Sequence, residues 1–210
     1  MKDFYLFGKG ELAIYCAEKY LSRYDKNNLK IIPVIPEPSW SNSLIEWSKK
    51  NKVEIIDYEK IMNFNIAQGS IGLSVYFDKI LKLSLIEKFY RLCNIHNSPL
   101  PKYRGVNPIN WALKNEESSH GVTLHIIDKG VDTGDILDQK IFDINDSMEV
   151  IDVYNLCIEN GKALIDNNLF NLDNIEATPQ NNENMSLYTK ADFENLGNRK
   201  YFNRENKNNY

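Results

Sequence analysis

Apolar runs of four to seven residues alternate with turns and amphipathic stretches through the first 95 residues. Runs of this length, bounded by turn-forming residues, are typical of buried strands. They predict strands at 4–7, 29–35, 53–56, 70–75 and 92–96. Apolar positions at helical spacing predict helices between the first strands, at 11–22 and 43–50. This alternation indicates an α/β fold with an open, mostly parallel central sheet.

The second half of the chain adds two strand patterns, at 121–128 and 138–144, and two helical patterns, at 108–114 and 149–167. Asn107 precedes Pro108 and is predicted to cap the first of these helices. Asp146 or Ser147 is predicted to cap the second. From about residue 174 the pattern is polar and irregular, with one weak helix near 191–196. We therefore expect one domain at 1–173 and a short, partly irregular extension at 174–210.

Composition excludes some classes of protein. The chain is 42% hydrophobic and 26% charged, which is ordinary for a globular protein. Its net charge of −4 argues against a protein whose main task is to grip a nucleic-acid backbone. No run approaches the ~18 apolar residues of a membrane span. Three cysteines without metal-like spacing predict free thiols in a reducing compartment. From charge, hydropathy and cysteines together we expect a cytoplasmic protein with no membrane partner and no nucleic-acid partner.

Two polar side chains stand two residues apart at the end of the strand predicted at 92–96. Alternation puts Asn94 and His96 on one face, and the carboxyl end of a strand is where open α/β sheets place their sites. The turn-rich segment 97–105 follows at once, so both side chains are expected to face a cleft. A polar strand end whose side chains hydrogen-bond their own loop would show the same two residues. This motif alone therefore does not distinguish a functional site from a structural one.

A second candidate is the loop 128–135 between two predicted strands. Gly130 and Gly134 permit backbone conformations that other residues resist, which lets a flat ligand lie close to main-chain groups. Asp132 stands between them. An ordinary Gly/Asp turn is the alternative interpretation.

Together the segments NIHNSPLPKYRGVNPINWALKN and HGVTLHIIDKGVDTGDIL, within residues 94–137, resemble the catalytic core of the 10-formyltetrahydrofolate-dependent formyltransferases. That family includes enzymes acting on methionyl-tRNA, on glycinamide ribonucleotide and on amino sugars. The flanking strand pattern is similar to its Rossmann-like domain over most of the chain. The resemblance implies that Asn94, His96 and Asp132 are catalytic.

The implied reaction is attack of an acceptor amine on the formyl carbon, with negative charge developing on a tetrahedral oxygen. Asn94 can donate an N–H to that oxygen, and so can a protonated His96. Either His96 or Asp132 can accept the proton that the amine must lose. No metal is implied, since no histidine cluster has metal-ligand spacing. His125 alternates into a predicted strand, which indicates a structural role.

The resemblance also implies a folate co-substrate, 10-formyltetrahydrofolate, with its pterin between the 128–132 loop and the segment after the fourth strand. The candidate donor contacts are Tyr76, Phe77, Ile80, Asp128, Gly130 and Val131. For the two aromatic residues, core packing is the alternative.

Two departures from the family pattern reduce the number of possible acceptors. The chain is expected to end too early for the C-terminal β-barrel of the tRNA enzyme. The glycinamide ribonucleotide enzyme typically has a glycine- and serine-rich phosphate loop where this chain has Gly8-Lys9-Gly10-Glu11. The sugar branch, which serves surface-glycan synthesis, remains. The expected acceptor is a nucleotide-linked amino sugar, such as a 4-amino-4,6-dideoxyhexose on dTDP.

The candidate acceptor contacts are Lys9, Tyr103, Arg104, Asn107 and Trp111. Arg104 could pair with a diphosphate, and Tyr103 or Trp111 could stack on a base or sugar. A surface charge is the alternative for Arg104, and a buried helix anchor for Trp111. The alternative functions are transfer to glycinamide ribonucleotide or methionyl-tRNA, hydrolysis of the formyl-folate, and a non-catalytic folate-binding module. A homodimer through the C-terminal segment is a further expectation.

Overall fold

The computed structural model of the chain describes residues 3–196. The last part of the predicted extension, 197–210, lies outside the described residues, and the domain boundary at 173 stays a prediction. None of the helices described between residues 3 and 196 is long and apolar enough to cross a membrane.

Seven strands form the central sheet. They are β1 Phe4–Gly8, β2 Leu29–Pro33, β3 Glu54–Ile55, β4 Ile71–Val75, β5 Arg91–His96, β7 Ser119–Ile126 and β8 Ile136–Asp143, while β6 Arg104–Gly105 pairs elsewhere. The spatial order is β3-β2-β1-β4-β5-β7-β8. The first five strands are mutually parallel, and β7 and β8 continue the sheet in antiparallel pairs. The predicted α/β fold with a mostly parallel sheet is thereby confirmed.

Helices cover both faces of the sheet because its central strand is apolar on both. The helices are α1 Gly10–Leu21, α2 Leu44–Asn51, α3 Leu83–Ile86, α4 Pro108–Lys114, α5 Val150–Asn168 and α6 Phe193–Leu196. On β1, Phe4 and Leu6 join the core shared with α1 and α5. Tyr5 and Phe7 face a second core that contains Leu85 of α3. All four β1 side chains are buried, as expected for a central strand of a doubly covered sheet.

One predicted helix cap is wrong and the other is confirmed. Glu149 itself caps α5, because its side chain accepts from the Asp152 backbone and the Asp152 carboxylate accepts from the Glu149 N–H. This reciprocal pair replaces the predicted cap at Asp146 or Ser147. Asn107 is the N-cap residue of α4, as predicted, with Pro108 at the first helical position. It adopts the left-handed conformation, and its side chain makes no capping hydrogen bond.

A segment after α5 lies across the loops that leave the sheet. We call residues 178–188 the C-terminal strap. Its strand β9, Leu187–Tyr188, pairs in parallel with β6, and Thr178 bridges to Ile136 at the start of β8. The predicted weak helix near 191–196 is found as α6. The strap was not predicted, because a two-residue strand leaves no alternation to read.

Candidate active site

Asn94 and His96 lie on β5, where it borders the antiparallel strand β7. The pairing sets Asn94 opposite His125 and His96 opposite Thr123. As a result Asn94 Nδ2 lies 3.1 Å from His125 Nε2. The predicted pair on β5 is therefore joined by a histidine from the neighbouring strand.

Asp132 completes this group from the loop after β7. A register irregularity between Leu124 and His125 marks the end of regular pairing with β8, and the loop 127–135 folds back over the strands. Asp132 Oδ2 lies 3.6 Å from His96 Nδ1, and Asp132 Oδ1 lies 3.5 Å from His125 Nε2. We call Asn94, His96, His125 and Asp132 the Asp132 cluster.

Backbone carbonyl groups determine which ring nitrogen of each histidine carries hydrogen. His96 Nε2 lies 2.8 Å from the Tyr103 oxygen, which can only accept, so Nε2 donates and Nδ1 is left facing Asp132. His125 is held the opposite way, with Nδ1 donating to the Ile126 oxygen at 2.9 Å. In its neutral form His125 Nε2 therefore accepts from Asn94. The atom of His96 that can take up a proton is Nδ1.

The Asp132 carboxylate is mostly buried yet strongly favours its charged form. Burial alone would raise the pKa of Asp132, but the positive charges of the neighbouring His96 and His125 rings in their protonated forms, together with the Gly105 N–H, hold that pKa well below its usual range. The Gly105 N–H donates to Asp132 Oδ2 at 2.8 Å. The carboxylate is therefore a fixed negative charge at neutral pH.

Backbone strain is concentrated around this cluster. Within residues 3–196, six residues other than glycine have positive φ, and four of these lie in loops at the site: Tyr76, Tyr103, Asn107 and Asp132. A non-glycine residue in the left-handed region costs about 1–2 kcal/mol, and less for Asn or Asp. Such conformations persist when the surrounding structure over-determines them, which happens most often at functional sites.

Gly105 is required where the strap approaches the cluster. Its φ is +90°, and a Cβ on it would lie 2.0 Å from the Tyr188 carbonyl oxygen. The absence of a side chain lets β6 and β9 pair while the Gly105 N–H reaches Asp132. A larger residue here would separate the strap from the site loop.

Three of the predicted acceptor contacts are buried. Arg104 is 4% exposed, and its guanidinium group donates to Gln180 Oε1 and Asn182 Oδ1. Trp111 is 5% exposed and stacks on Tyr188 with ring centroids 4.1 Å apart. Tyr103 is also buried and donates its hydroxyl to Glu117 Oε1. These internal contacts leave little of the three side chains exposed to an acceptor, and for Trp111 they agree with the alternative of a buried helix anchor.

The other two predicted acceptor contacts lie nearer the surface. Lys9 Nζ forms an ion pair with Asp78 at 2.7 Å, just after the carboxyl ends of β1 and β4. Asn107 is half-buried in its left-handed turn. Both remain candidates for the acceptor side of the site.

The predicted donor contacts divide into half-buried and exposed groups. Tyr76 and Phe77 are half-buried, and they pack on Tyr154 and Phe7, respectively, as the core-packing alternative expects. Ile80 is 84% exposed and Val131 is 46% exposed, which is unusual for large apolar side chains. Two more of these contacts shape the loop: Asp128 accepts from the exposed Gly130 N–H and from Thr133 Oγ1.

Two residues of the site were missed by sequence reasoning. His125 was predicted to be structural, yet it lies between Asn94 and Asp132. Gln180, from the strap, donates to the backbone oxygens of Asp132 and Gly134. Both contacts depend on tertiary pairing rather than on a local pattern.

The geometry agrees with the comparisons to known proteins. Residues 28–167, two thirds of the chain, match the family model described as "Formyl transferase". The chain belongs to the formyl transferase family. The resemblance stated from the sequence is thereby confirmed.

Curated relatives of the chain include two methionyl-tRNA formyltransferases. That of Clostridium novyi is 40% identical over 110 residues, which are 51% of this chain and 35% of the relative. That of Thermodesulfovibrio yellowstonii is 37% identical over 152 residues, or 67% of this chain and 49% of the relative. The chain thus spans about a third to a half of the length of the curated relatives it matches.

Among solved structures, the sugar 3-N-formyltransferase WlaRD, determined with dTDP and 5-N-formyl-THF, has a TM-score of 0.83 and 33% identity. The match covers 91% of this chain and 71% of that one. The N-formyltransferase of Helicobacter canadensis, determined with folinic acid and dTDP-3-aminofucose, has a TM-score of 0.81 and 33% identity. It covers 91% of this chain and 72% of that one. Both confirm the Rossmann-like formyltransferase fold and the likeness to the sugar branch.

Proposed function

We propose that this protein transfers a formyl group from 10-formyltetrahydrofolate to the amine of a nucleotide-linked amino sugar. The observation that carries this proposal is the likeness, at 33% identity and over 91% of the chain, to two sugar N-formyltransferases. Because these likenesses cover 91% of the chain, they extend beyond the family model, which ends at residue 167, and beyond the end of α5.

Asn94 is proposed to stabilise the oxygen on which negative charge develops. Its side-chain nitrogen carries two hydrogens, and the recorded contact with His125 Nε2 uses one of them. The second is free to bond the formyl oxygen as the carbon becomes tetrahedral. A preorganised donor of this kind is worth about 10²–10³ in rate.

His96 is proposed to accept the proton that the attacking amine loses. The carbonyl of Tyr103 occupies His96 Nε2, which leaves Nδ1 to take the proton. Asp132 is a weak base because its pKa is held low, but its charge stabilises the imidazolium that forms. The choice between these two residues, open in the sequence, is in this proposal made for His96.

The donor is proposed to lie against the exposed part of the predicted folate segments. Ile80 and Val131 offer apolar surface to a flat ring, and the loop at Gly130 offers backbone groups. Asp128 contributes by holding that loop in shape through Gly130 and Thr133. Tyr76 and Phe77 would support this surface from below rather than touch the ligand.

The test is a formyl-transfer assay with 10-formyltetrahydrofolate and a panel of acceptors. The panel contains dTDP-linked 3-amino and 4-amino deoxysugars, UDP- and GDP-linked amino sugars, glycinamide ribonucleotide and methionyl-tRNA. We expect the mass of one formyl group to be added to one nucleotide sugar, and the addition to disappear in His96→Ala. Release of formate without any acceptor would instead indicate a hydrolase and contradict the proposal.

Methionyl-tRNA is the second candidate acceptor, because the curated relatives named above are methionyl-tRNA formyltransferases. Transfer to methionyl-tRNA, with no transfer to a nucleotide sugar, would keep the proposed chemistry of the Asp132 cluster and replace the acceptor.

A further inference from the structure

The side-chain amide of Gln180 joins the two loops that meet at the Asp132 cluster. Its Nε2 donates to the backbone oxygen of Asp132 at 2.8 Å and to that of Gly134 at 2.7 Å. Its Oε1 accepts from Nε and Nη2 of Arg104. Both hydrogens and the oxygen of this amide are therefore used, and all of them inside the protein.

These contacts close a ring around Asp132. The Asp132 carboxylate accepts from the Gly105 N–H, and Gly105 follows Arg104 in the chain. Arg104 donates to Gln180, which returns to Asp132 through its backbone oxygen. Asp132 is thus anchored at its backbone as well as at its side chain.

Asp132 needs such an anchor for two reasons. Its φ of 51° is left-handed, a conformation that surrounding contacts must maintain. In addition, its distances of 3.5 and 3.6 Å to His125 and His96 are longer than good hydrogen bonds. The histidines alone therefore do not hold the carboxylate, and its orientation also depends on the backbone conformation of the Asp132 loop.

The strap that carries Gln180 is itself tied to the site loop. Ser186 accepts from the backbone N–H of Tyr103 through its hydroxyl and from that of Arg104 through its carbonyl oxygen. The Val106 N–H donates to the Tyr188 oxygen. Gln180 is therefore held on a paired segment rather than on a free loop.

We propose that Gln180 is a positioning residue that holds the Asp132 carboxylate in place against His96 and His125. This role deepens the proposed formyl transfer and rests on it. Arg104 acts in support, since it fixes the orientation of the Gln180 amide. Gln180 lies outside residues 28–167, the region that the family model matches.

The kinetic test uses three variants. Gln180→Glu keeps an acceptor for Arg104 but has no hydrogen to donate to Asp132 and Gly134, so it separates the two halves of the amide. Gln180→Met removes both. Asn181→Ala is the matched control, since the neighbouring Asn181 is exposed and, within residues 3–196, its side chain forms hydrogen bonds to Glu183 alone.

We expect kcat to fall about 10²-fold in Gln180→Glu and Gln180→Met, the scale for a small displacement of a reacting group. KM for the donor and acceptor should change less than kcat, because Gln180 contacts the backbone of Asp132 and Gly134 rather than the proposed donor surface at Ile80 and Val131. Asn181→Ala should keep the kcat of the original protein. Folding of each variant is checked by thermal melting. An unchanged kcat in a folded Gln180→Glu would overturn the proposal, and so would a loss confined to KM.

A second measurement needs no catalysis. The carboxyl carbon of Asp132 is followed by ¹³C NMR at pH 4, and its signal is assigned by its absence in Asp132→Asn. In the original protein we expect the ionised shift, because the pKa of Asp132 is held low. In Gln180→Met we expect partial protonation, because the displaced carboxylate returns toward the ordinary pKa of ~3.9.

A fully ionised Asp132 in Gln180→Met would overturn the positioning role whatever the enzyme assay shows. If the original protein transfers no formyl group to any acceptor, the proposed function fails. The NMR result still decides whether Gln180 positions Asp132, so the two failures are told apart.

Discussion

Two buried histidines of this protein are anchored in the same way but differ in what their second nitrogen meets. His96 and His120 are 8% and 0% exposed, and each has Nε2 2.8 Å from a backbone carbonyl oxygen. His96 Nδ1 faces Asp132, whereas His120 Nδ1 has no hydrogen-bond partner within residues 3–196. Burial accordingly lowers the pKa of His120 to about 4. The two histidines therefore share burial and a carbonyl anchor at Nε2, and they differ in the buried carboxylate that faces Nδ1 of His96.

The largest expected effect is the loss of activity in His96→Gln, and His120→Gln is its matched control. In His96→Gln and His120→Gln, the glutamine amide can still donate to the carbonyl oxygen, but Nδ1 is lost. We expect His96→Gln to lower kcat on the order of 10³-fold, which is the scale of general-base catalysis. His120→Gln should leave kcat nearly unchanged. Single-turnover formyl transfer measures both, and losses of similar size would contradict the distinction between the two histidines.

A smaller loss is expected from Asn94→Asp. The replacement has almost the same shape but no N–H, so it removes the proposed donor to the developing oxyanion and the donor to His125. We expect kcat to fall about 10²-fold. Equilibrium binding of the folate should stay unchanged, which is the control. A weaker folate affinity with unaltered kcat would mean that Asn94 binds the ground state instead.

The smallest effect concerns stability and belongs to His120. Its folded pKa of about 4 lies below the ordinary 6.5, so the unfolded chain takes up a proton first as the pH falls. Stability is complete above pH ~6.5 and declines as the pH falls toward 4. Between pH 7 and pH 5 this should remove roughly 2 kcal/mol from the free energy of unfolding.

The measurement is urea denaturation of the original protein and His120→Gln at pH 7 and pH 5. The variant lacks this titration and should lose correspondingly less stability. A parallel decline in both proteins would show that the His120 ring is not kept neutral by the fold.

The parts of this fold that follow from local pattern were predictable. The strand β1 was predicted from its apolar run, the helix α1 from its apolar spacing, and the helix Pro108–Lys114 from the Asn-Pro pair at its start. The strand carrying Asn94 and His96 was too, because alternation and a following turn are local features. The N-cap of α5 was not predicted correctly, since several acidic and hydroxyl residues near the start of the helix could serve as its cap.

The parts that depend on pairing between distant segments were not predictable. His125 joins the site through its register opposite Asn94, and a single strand does not show which neighbour it will have. Arg104 was expected to pair with a diphosphate, with an exposed surface charge as the alternative. It is instead buried by Gln180 and Asn182, which stand more than 70 residues later in the chain.

The strap also sets the order in which the site can be completed during synthesis. Gln180 follows Asp132 by 48 positions and leaves the ribosome after all seven strands of the central sheet. Because chains begin to fold from the amino end as they are made, the sheet can assemble while Asp132 still lacks its anchor. On the proposed role of Gln180, the nascent polypeptide forms its sheet first and fixes the conformation of its Asp132 loop last.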